Sequence, residues 1–342
     1  MLARALPFPN PTASADWQDD YRAARLTTAE LLARVGLAAA DLPYGLAPSV
    51  DFAVKVPPHF LSLIGRGDPR DPLLLQVLAR ADELVEDPAL LTDPLGEQSF
   101  TPMRGILRKY GSRALLLAAG ACAIHCRYCF RRHTDYGAMV LPAGGHAAAV
   151  AALAADTAIE EVILSGGDPL TLTDDRLAAL LGGLGAIPHL AAIRIHTRTL
   201  TTVPARVTPA LVAMLTGLGK PVVIVTHTNH AKELDAVVAA ALARLRGTGV
   251  TLLNQSVLLR GINDTAATIR AHALRLFACG VLPYYMHLLD PVVGAGHFDV
   301  GLAEALGLEQ QLRDTLPGYL VPRFVREVPG GLAKTPAWQL AS

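Results

Sequence analysis

The spacing of apolar and polar positions changes near residue 106. From there on, short apolar runs of strand length alternate with longer segments whose apolar residues recur every three or four positions. The runs predict strands at Arg113–Ala119, Glu161–Leu164, Ala192–His196, Val222–Thr226, Thr251–Val257 and Pro283–Leu288. Helical patterns follow at about 145–156, 173–185, 208–217, 231–246, 265–279 and 301–314. Such βα repetition predicts an α/β fold with a parallel sheet and helices outside it. A doubly wound sheet and an incomplete β/α barrel both satisfy the pattern, and both place ligands beyond the C-terminal ends of the strands.

The flanks read differently. Residues 1–105 are rich in Pro, Asp and Leu, with helix starts at Thr28-Ala29-Glu30-Leu31-Leu32 and from Asp71-Pro72 to Ala79. They predict a mostly helical extension ahead of a barrel region at 106–316. After Leu316, the residues Pro317, Pro322, Pro329, Gly330, Gly331 and Pro336 predict a loop segment, 317–342, without regular elements.

Composition narrows the class. With 342 residues, 51% hydrophobic and 18% charged, the chain can bury a large core and is not disordered as a whole. Lys+Arg and Asp+Glu are both 30, which argues against a broad face for nucleic acid or anionic membranes. The longest apolar run, Ala114 to Ile124, is far short of the roughly 18 residues of a spanning helix. Pro7, Pro9, Pro11 and Asp16 interrupt any signal-peptide pattern, so a soluble cytoplasmic protein is expected. Of four cysteines, three crowd into one short stretch, which suits a metal or cluster site in a reducing compartment better than a disulfide framework.

That stretch is Cys122-Ala-Ile-His-Cys126-Arg-Tyr-Cys129, directly after the first barrel strand. Three thiolates on one short loop can hold three irons of a 4Fe–4S cluster and leave the fourth iron open. An open iron can take a small molecule through an amine and a carboxylate, the pair on the methionine end of S-adenosylmethionine. Tyr128 can shield the cluster and pack beside adenine. A zinc site completed by His125 or His133 is the alternative, although structural zinc usually draws its cysteines as two separate pairs. Cys279 falls in a predicted helix as a buried structural thiol. The second strand ends in Ser165-Gly166-Gly167-Asp168-Pro169. Glycines there let backbone approach a ligand closely, and the position after the cysteine loop suits the methionine amino group; an ordinary turn is the alternative.

These two motifs in this order resemble the radical S-adenosylmethionine superfamily, and the stretch from about Phe52 to Pro336 resembles its lysine 2,3-aminomutase family. Phe60-Leu-Ser-Leu-Ile64, Tyr110, the cysteine loop with Arg131-Arg132, Asn254 through Gly261, Tyr284-Tyr285, Gly296-His297-Phe298 and Lys334 carry the likeness. The resemblance implies a six-unit partial barrel, a 4Fe–4S cluster, S-adenosylmethionine as radical source, pyridoxal phosphate, and movement of an amino group from C2 to C3 of an amino acid. It also implies roles. Lys334 would bind pyridoxal covalently, and Lys109, Tyr110 and Arg113 would hold its phosphate. Arg131 would take the carboxylate of lysine, Asp290 and Glu327 its ε-ammonium, and Gln255 would contact S-adenosylmethionine. His287 stands where lysine-fermentation enzymes carry Tyr.

Those enzymes continue past the pyridoxal lysine with zinc-binding cysteines, whereas this chain runs only eight residues beyond Lys334. It resembles instead the shorter branch that makes β-lysine for translation elongation factor P. The expected partners are free lysine, a reductant such as flavodoxin or ferredoxin, and, indirectly, elongation factor P and its lysine ligase. No nucleic acid and no membrane are expected. One rival is an aminomutase for another amino acid such as glutamate, which two acids at the far end of the pocket would repel. A rival of another class is a non-catalytic zinc-binding interaction module.

Overall fold

A computed structural model describes residues 16–47, 52–141 and 144–341, so Pro7, Pro9 and Pro11 lie outside the described residues. One sheet of nine strands runs in strict chain order. Its members are β1 (Ile106–Leu107), β2 (Arg113–Ala119), β3 (Glu161–Gly166), β4 (Ala192–Thr197), β5 (Val222–His227), β6 (Thr251–Val257), β7 (Leu282–His287), β8 (Arg323–Arg326) and β9 (Thr335–Pro336). Strands β2 to β8 are parallel, and β1 and β9 close the two edges antiparallel. A doubly wound sheet reverses its strand order at a switch point. The uninterrupted order here selects the other alternative, a partial β/α barrel.

Each outer helix forms because its apolar side chains recur on one face. Leu177, Leu180, Leu181 and Leu184 form that face in Asp174–Gly185, and Val238, Ala241, Leu242 and Leu245 in Ala236–Arg246. They pack on Val162, Leu164, Ile193, Ile195 and Ile224 from the sheet, and each buried aliphatic side chain contributes about 1.5–3 kcal/mol. Asp235 and Thr265 cap their helices by accepting from Val238 N and Thr268 N. Cys279 follows Ala266–Ala278 as its C-cap and is buried in this core.

Three expectations needed correction. The helix expected over 71–79 is a chain of turns. Asp71 does cap it, accepting from Leu73 N and Leu74 N, but the following bonds mix third and fourth preceding carbonyls. Leu73, Leu74, Gln76, Val77 and Leu78 are all buried, so apolar positions exceed the single stripe of a surface helix. The helix expected over 231–246 is split. Glu233 turns back to accept from Asn229 N and His230 N, and the regular helix starts only after Asp235. The segment 317–342, expected to be irregular, supplies β8 and β9. Phe324 and Val325 are buried, but a strand of four residues among prolines is too short to show in the pattern.

Ahead of the barrel, Leu31, Leu32, Val35, Phe60, Leu73 and Leu74 build a separate apolar cluster that receives Ile124 from the cysteine loop. Buried Glu83 pairs with both Arg127 and Arg132, which flank Cys129 in the chain. Among the described residues, no helix is long and apolar enough to cross a membrane.

Candidate active site

The C-terminal ends of β2 to β7 surround a cavity of about 420 Å³. All three clustered cysteines line it, together with Lys109, Tyr110, Arg113, Arg131, Ser165, Gly166, Gly167, Asp168, Gln255, Asp290, Glu327 and Lys334. Every residue singled out for chemistry in the sequence therefore faces one space.

The cysteines enter from the loop after β2, and all are free thiols. Burial pushes the Cys122 thiol well above its ordinary value and Cys129 up to about 11, and the neighbouring thiols add repulsion. Three sulfurs brought together on one short loop are a donor set suited to the positive charge of iron. Arg198 Nη1 lies 2.7 Å from Cys126 Sγ, and Lys55 Nζ donates to Cys122 O at 2.6 Å. The histidines considered for zinc are engaged elsewhere. His125 bonds Ala53 O through Nδ1 and stacks on Phe52, and His133 Nε2 bonds Val293 O. Replacing Cys122, Cys126 or Cys129 singly by Ala is expected to abolish iron–sulfur content on anaerobic reconstitution, whereas Cys279→Ala keeps it. Iron and sulfide analysis of the four variants checks this, and full iron in any of the first three would contradict it.

The glycine motif also brings backbone against backbone. Gly166 has φ +113°, and a Cβ there would fall 2.4 Å from Ala119 O; one at Gly167 would fall 2.4 Å from Ala121 O. The close approach is to the chain's own backbone, fastened by Gly167 N to Ala119 O at 2.7 Å and Asp168 N to Ala121 O at 2.8 Å. These glycines press the end of β3 onto the start of the cysteine loop. The Asp168 carboxylate is spent on structure, accepting from Leu170 N, Thr197 Oγ1, Arg198 N and Thr199 N. Tyr128 is buried edge-on against Phe298, and its hydroxyl accepts from Asn229 and Arg198, so the ring belongs to a polar network under the cysteines.

At the opposite wall, β8 and β9 form a hairpin in which Arg326 pairs with Thr335. The next positions outward are Glu327 and Lys334, which the register brings face to face, with Nζ 2.8 Å from Oε2. Glu327 Oε1 also accepts from Lys109 at 2.6 Å and from Tyr110 at 2.5 Å. Burial alone would raise the Glu327 carboxyl, but Lys334 and these donors bring it down to about 2. Lys109 and Tyr110 are thus bound to Glu327 rather than aimed freely at a phosphate, and Arg113 lies over the Tyr110 ring at 4.4 Å. Asp290, just beyond β7, has a buried Oδ1 with no hydrogen-bond partner. Burial pushes its carboxyl up to about 7, against the pull of Lys334. His196 also leaves a buried Nε2 unpaired at the cavity. Burial and then Lys334 hold His287 well below the usual imidazole range.

Arg131 is buried, and its guanidinium holds Glu97 at 2.7 and 2.6 Å. Sequence reasoning missed Glu97, and also the network in which Arg198 joins Gln76, Glu233 and Tyr128. The position of Arg198 immediately after β4 was the available signal.

A family model described as a 4Fe-4S single cluster domain matches residues 108–184, from just ahead of β2 through the glycine motif and into the following helix. The L-lysine 2,3-aminomutase of Escherichia coli is 47% identical over 286 residues, covering 83% of each chain. That of Clostridium subterminale is 35% identical over 341 residues, 98% of this chain and 82% of its own. Streptococcus suis SuiB bound to S-adenosylmethionine overlays 64% of this chain and 51% of its own at 15% identity and a TM-score of 0.47. Identity of 35–47% over most of both chains places this chain in the L-lysine 2,3-aminomutase family, a family of isomerases.

Proposed function

We propose that the chain is a radical S-adenosylmethionine, pyridoxal phosphate-dependent 2,3-aminomutase that converts free L-lysine to β-lysine. The observation that carries this reading is the unpartnered, buried Asp290 oxygen beside Glu327, in the same cavity as the cysteine loop and Arg131. That end of the cavity suits a cation, and the substrate ε-ammonium is one.

The cluster and S-adenosylmethionine supply a radical able to take hydrogen from C3, and pyridoxal phosphate supplies the aldehyde that carries the nitrogen. Cys122, Cys126 and Cys129 would hold the cluster. Ser165, the Gly166–Gly167 backbone and Gln255 would seat S-adenosylmethionine, with Asp168 keeping that backbone in place. Lys334 would hold pyridoxal, and Arg113 with Lys109 and Tyr110 its phosphate. Glu327 serves two lysines, so it would take the substrate ammonium only where Lys334 gives up its bond to Oε2. Asp290 and Glu327 then fix one end of lysine and Arg131 the other, so C3 is positioned and water excluded before reaction. On this reading residues 1–105 brace the cysteine loop, 106–316 form the barrel, and 317–342 deliver the cofactor lysine.

We assign the product to elongation factor P modification in the cytoplasm, with flavodoxin or ferredoxin as reductant. The resemblance supports this, since Glu327 stands where the lysine-fermentation enzymes carry Asp. Free lysine comes first and attachment by a separate ligase afterwards, because attachment through the carboxyl would cost the Arg131 contact, worth roughly 1.5–3 kcal/mol. Anaerobic incubation with lysine or glutamate, S-adenosylmethionine and dithionite, followed by chiral amino-acid analysis, tests the substrate. β-Lysine alone is expected; β-glutamate would transfer the assignment to the rival.

The reading also has a pH signature. A carboxyl raised by folding favours the protonated state, so its cost to stability grows as pH rises from the unfolded value and is complete above about 7. The ammonium of lysine needs Asp290 ionised. Lysine affinity is therefore expected to rise with pH through about 7 and then level off, and Asp290→Asn to remove the rise. Calorimetric titration of the loaded enzyme across that range checks both.

A further inference from the structure

We propose that Glu97 competes with the substrate carboxylate for Arg131: it occupies the Arg131 guanidinium, and a ligand that brings its own carboxylate must displace it. This rests on the proposal that Arg131 holds that carboxylate. Glu97 Oε2 and Oε1 accept from Nε and Nη2 of Arg131 at 2.7 and 2.6 Å. The remaining nitrogen, Nη1, donates to Ser165 Oγ and Gly166 O, both at 3.2 Å. The guanidinium fork is thus filled by a group chemically identical to the one it is expected to receive. Two carboxylates on one guanidinium repel, so entry of the substrate requires departure of Glu97.

The surroundings permit that departure. Glu97 does not belong to the barrel. It stands in a single 3₁₀ turn, Glu97–Phe100, entered through Gly96 at φ +61°. Asp93 Oδ1 accepts from its backbone N–H at 3.2 Å. The strap carrying it is tied down on both sides: Leu91 N donates to Pro291 O, next to Asp290, and Arg108 N donates to Phe100 O. Between these ties it crosses the cavity wall with Leu95, Glu97 and Phe100 facing inward. A side chain on one short turn between fixed points can swing out without disturbing the sheet. The Glu97 side chain keeps 15% of its surface exposed, against 8% for Arg131, which gives it a way towards solvent.

The competition has a measurable sign. Holoenzyme loaded with cluster and pyridoxal phosphate is titrated calorimetrically with L-lysine and with L-lysinamide, which lacks the carboxylate. Wild type is expected to prefer lysine. Glu97→Gln keeps the shape but loses the charge-assisted bond, and is expected to bind lysine about tenfold more tightly, with lysinamide unchanged. Glu97→Asp, shorter by one methylene, is expected to show a smaller gain of the same sign. Lysine binding equal to or weaker than wild type in a folded Glu97→Gln enzyme overturns the proposal, because Glu97 would then orient Arg131 rather than compete for it. Equal affinity of wild type for lysine and lysinamide, with lysine binding intact in Arg131→Gln, overturns it together with the Arg131 assignment.

Discussion

Lys334→Ala is expected to abolish both turnover and the pyridoxal adduct fixed by borohydride, while iron content stays at the wild-type level. Lys334 lies in the cavity at the outward end of the β8–β9 hairpin, and the register there fixes its distance to Glu327. Imine-forming enzymes need one lysine whose nitrogen can act as a free amine. Lys109 is the other lysine on this wall, but it is bound to both Glu327 Oε1 and Val328 O. Peptide mapping after borohydride should therefore locate the label at residue 334 in wild type and nowhere in the variant. The variant should also let the Glu327 carboxyl rise from about 2, since the charge of Lys334 is the strongest influence holding it down. A label on Lys109 would assign the cofactor to the neighbouring cation.

Asp290→Asn is expected to lower kcat/KM for lysine by roughly 10²–10⁴-fold, because breaking a buried charge pair costs about 3–5 kcal/mol. Cluster and pyridoxal content should not change. The Asp290 oxygen has no partner in the protein to lose, so the substitution removes an interaction made only with substrate. Glu327→Gln should be more complex. Its carboxylate also binds Lys109, Tyr110 and Lys334, and losing its charge leaves two lysines without their shared counter-ion. That variant should therefore lose pyridoxal affinity as well as lysine turnover, and spectrophotometric titration with pyridoxal phosphate separates the two effects. Unchanged kinetics in Asp290→Asn would mean that the ammonium is held elsewhere.

The barrel was legible from periodicity, because each strand is short and apolar and each helix carries one apolar face. The strands expected at Arg113–Ala119 and Thr251–Val257 are β2 and β6 residue for residue, and the other four differ at their ends by one or two positions. The choice between barrel and doubly wound sheet was not legible in the period, since it depends on strand order; the resemblance to the lysine 2,3-aminomutase family implied it. The cysteine loop was legible because its donors are contiguous. Residues whose roles depend on distant partners were not. Asp168 reads as a ligand-facing acid until Thr197, Arg198 and Thr199 are seen to consume its oxygens. Glu327 looks like a free ammonium partner until the hairpin sets Lys334 against it. Glu97 carried no signal at all, because nothing local to residue 97 reports on a guanidinium 34 positions away.

The central claim is that nitrogen moves from C2 to C3 of free lysine within this cavity. The most direct test is anaerobic incubation of reconstituted enzyme with lysine labelled with ¹⁵N at the α-position and ¹³C at C3, together with S-adenosylmethionine, pyridoxal phosphate and dithionite, followed by NMR. The account predicts a new one-bond ¹⁵N–¹³C coupling at C3, absent in Lys334→Ala and in Cys126→Ala. A fully loaded enzyme that consumes S-adenosylmethionine but leaves the label on C2 would contradict it.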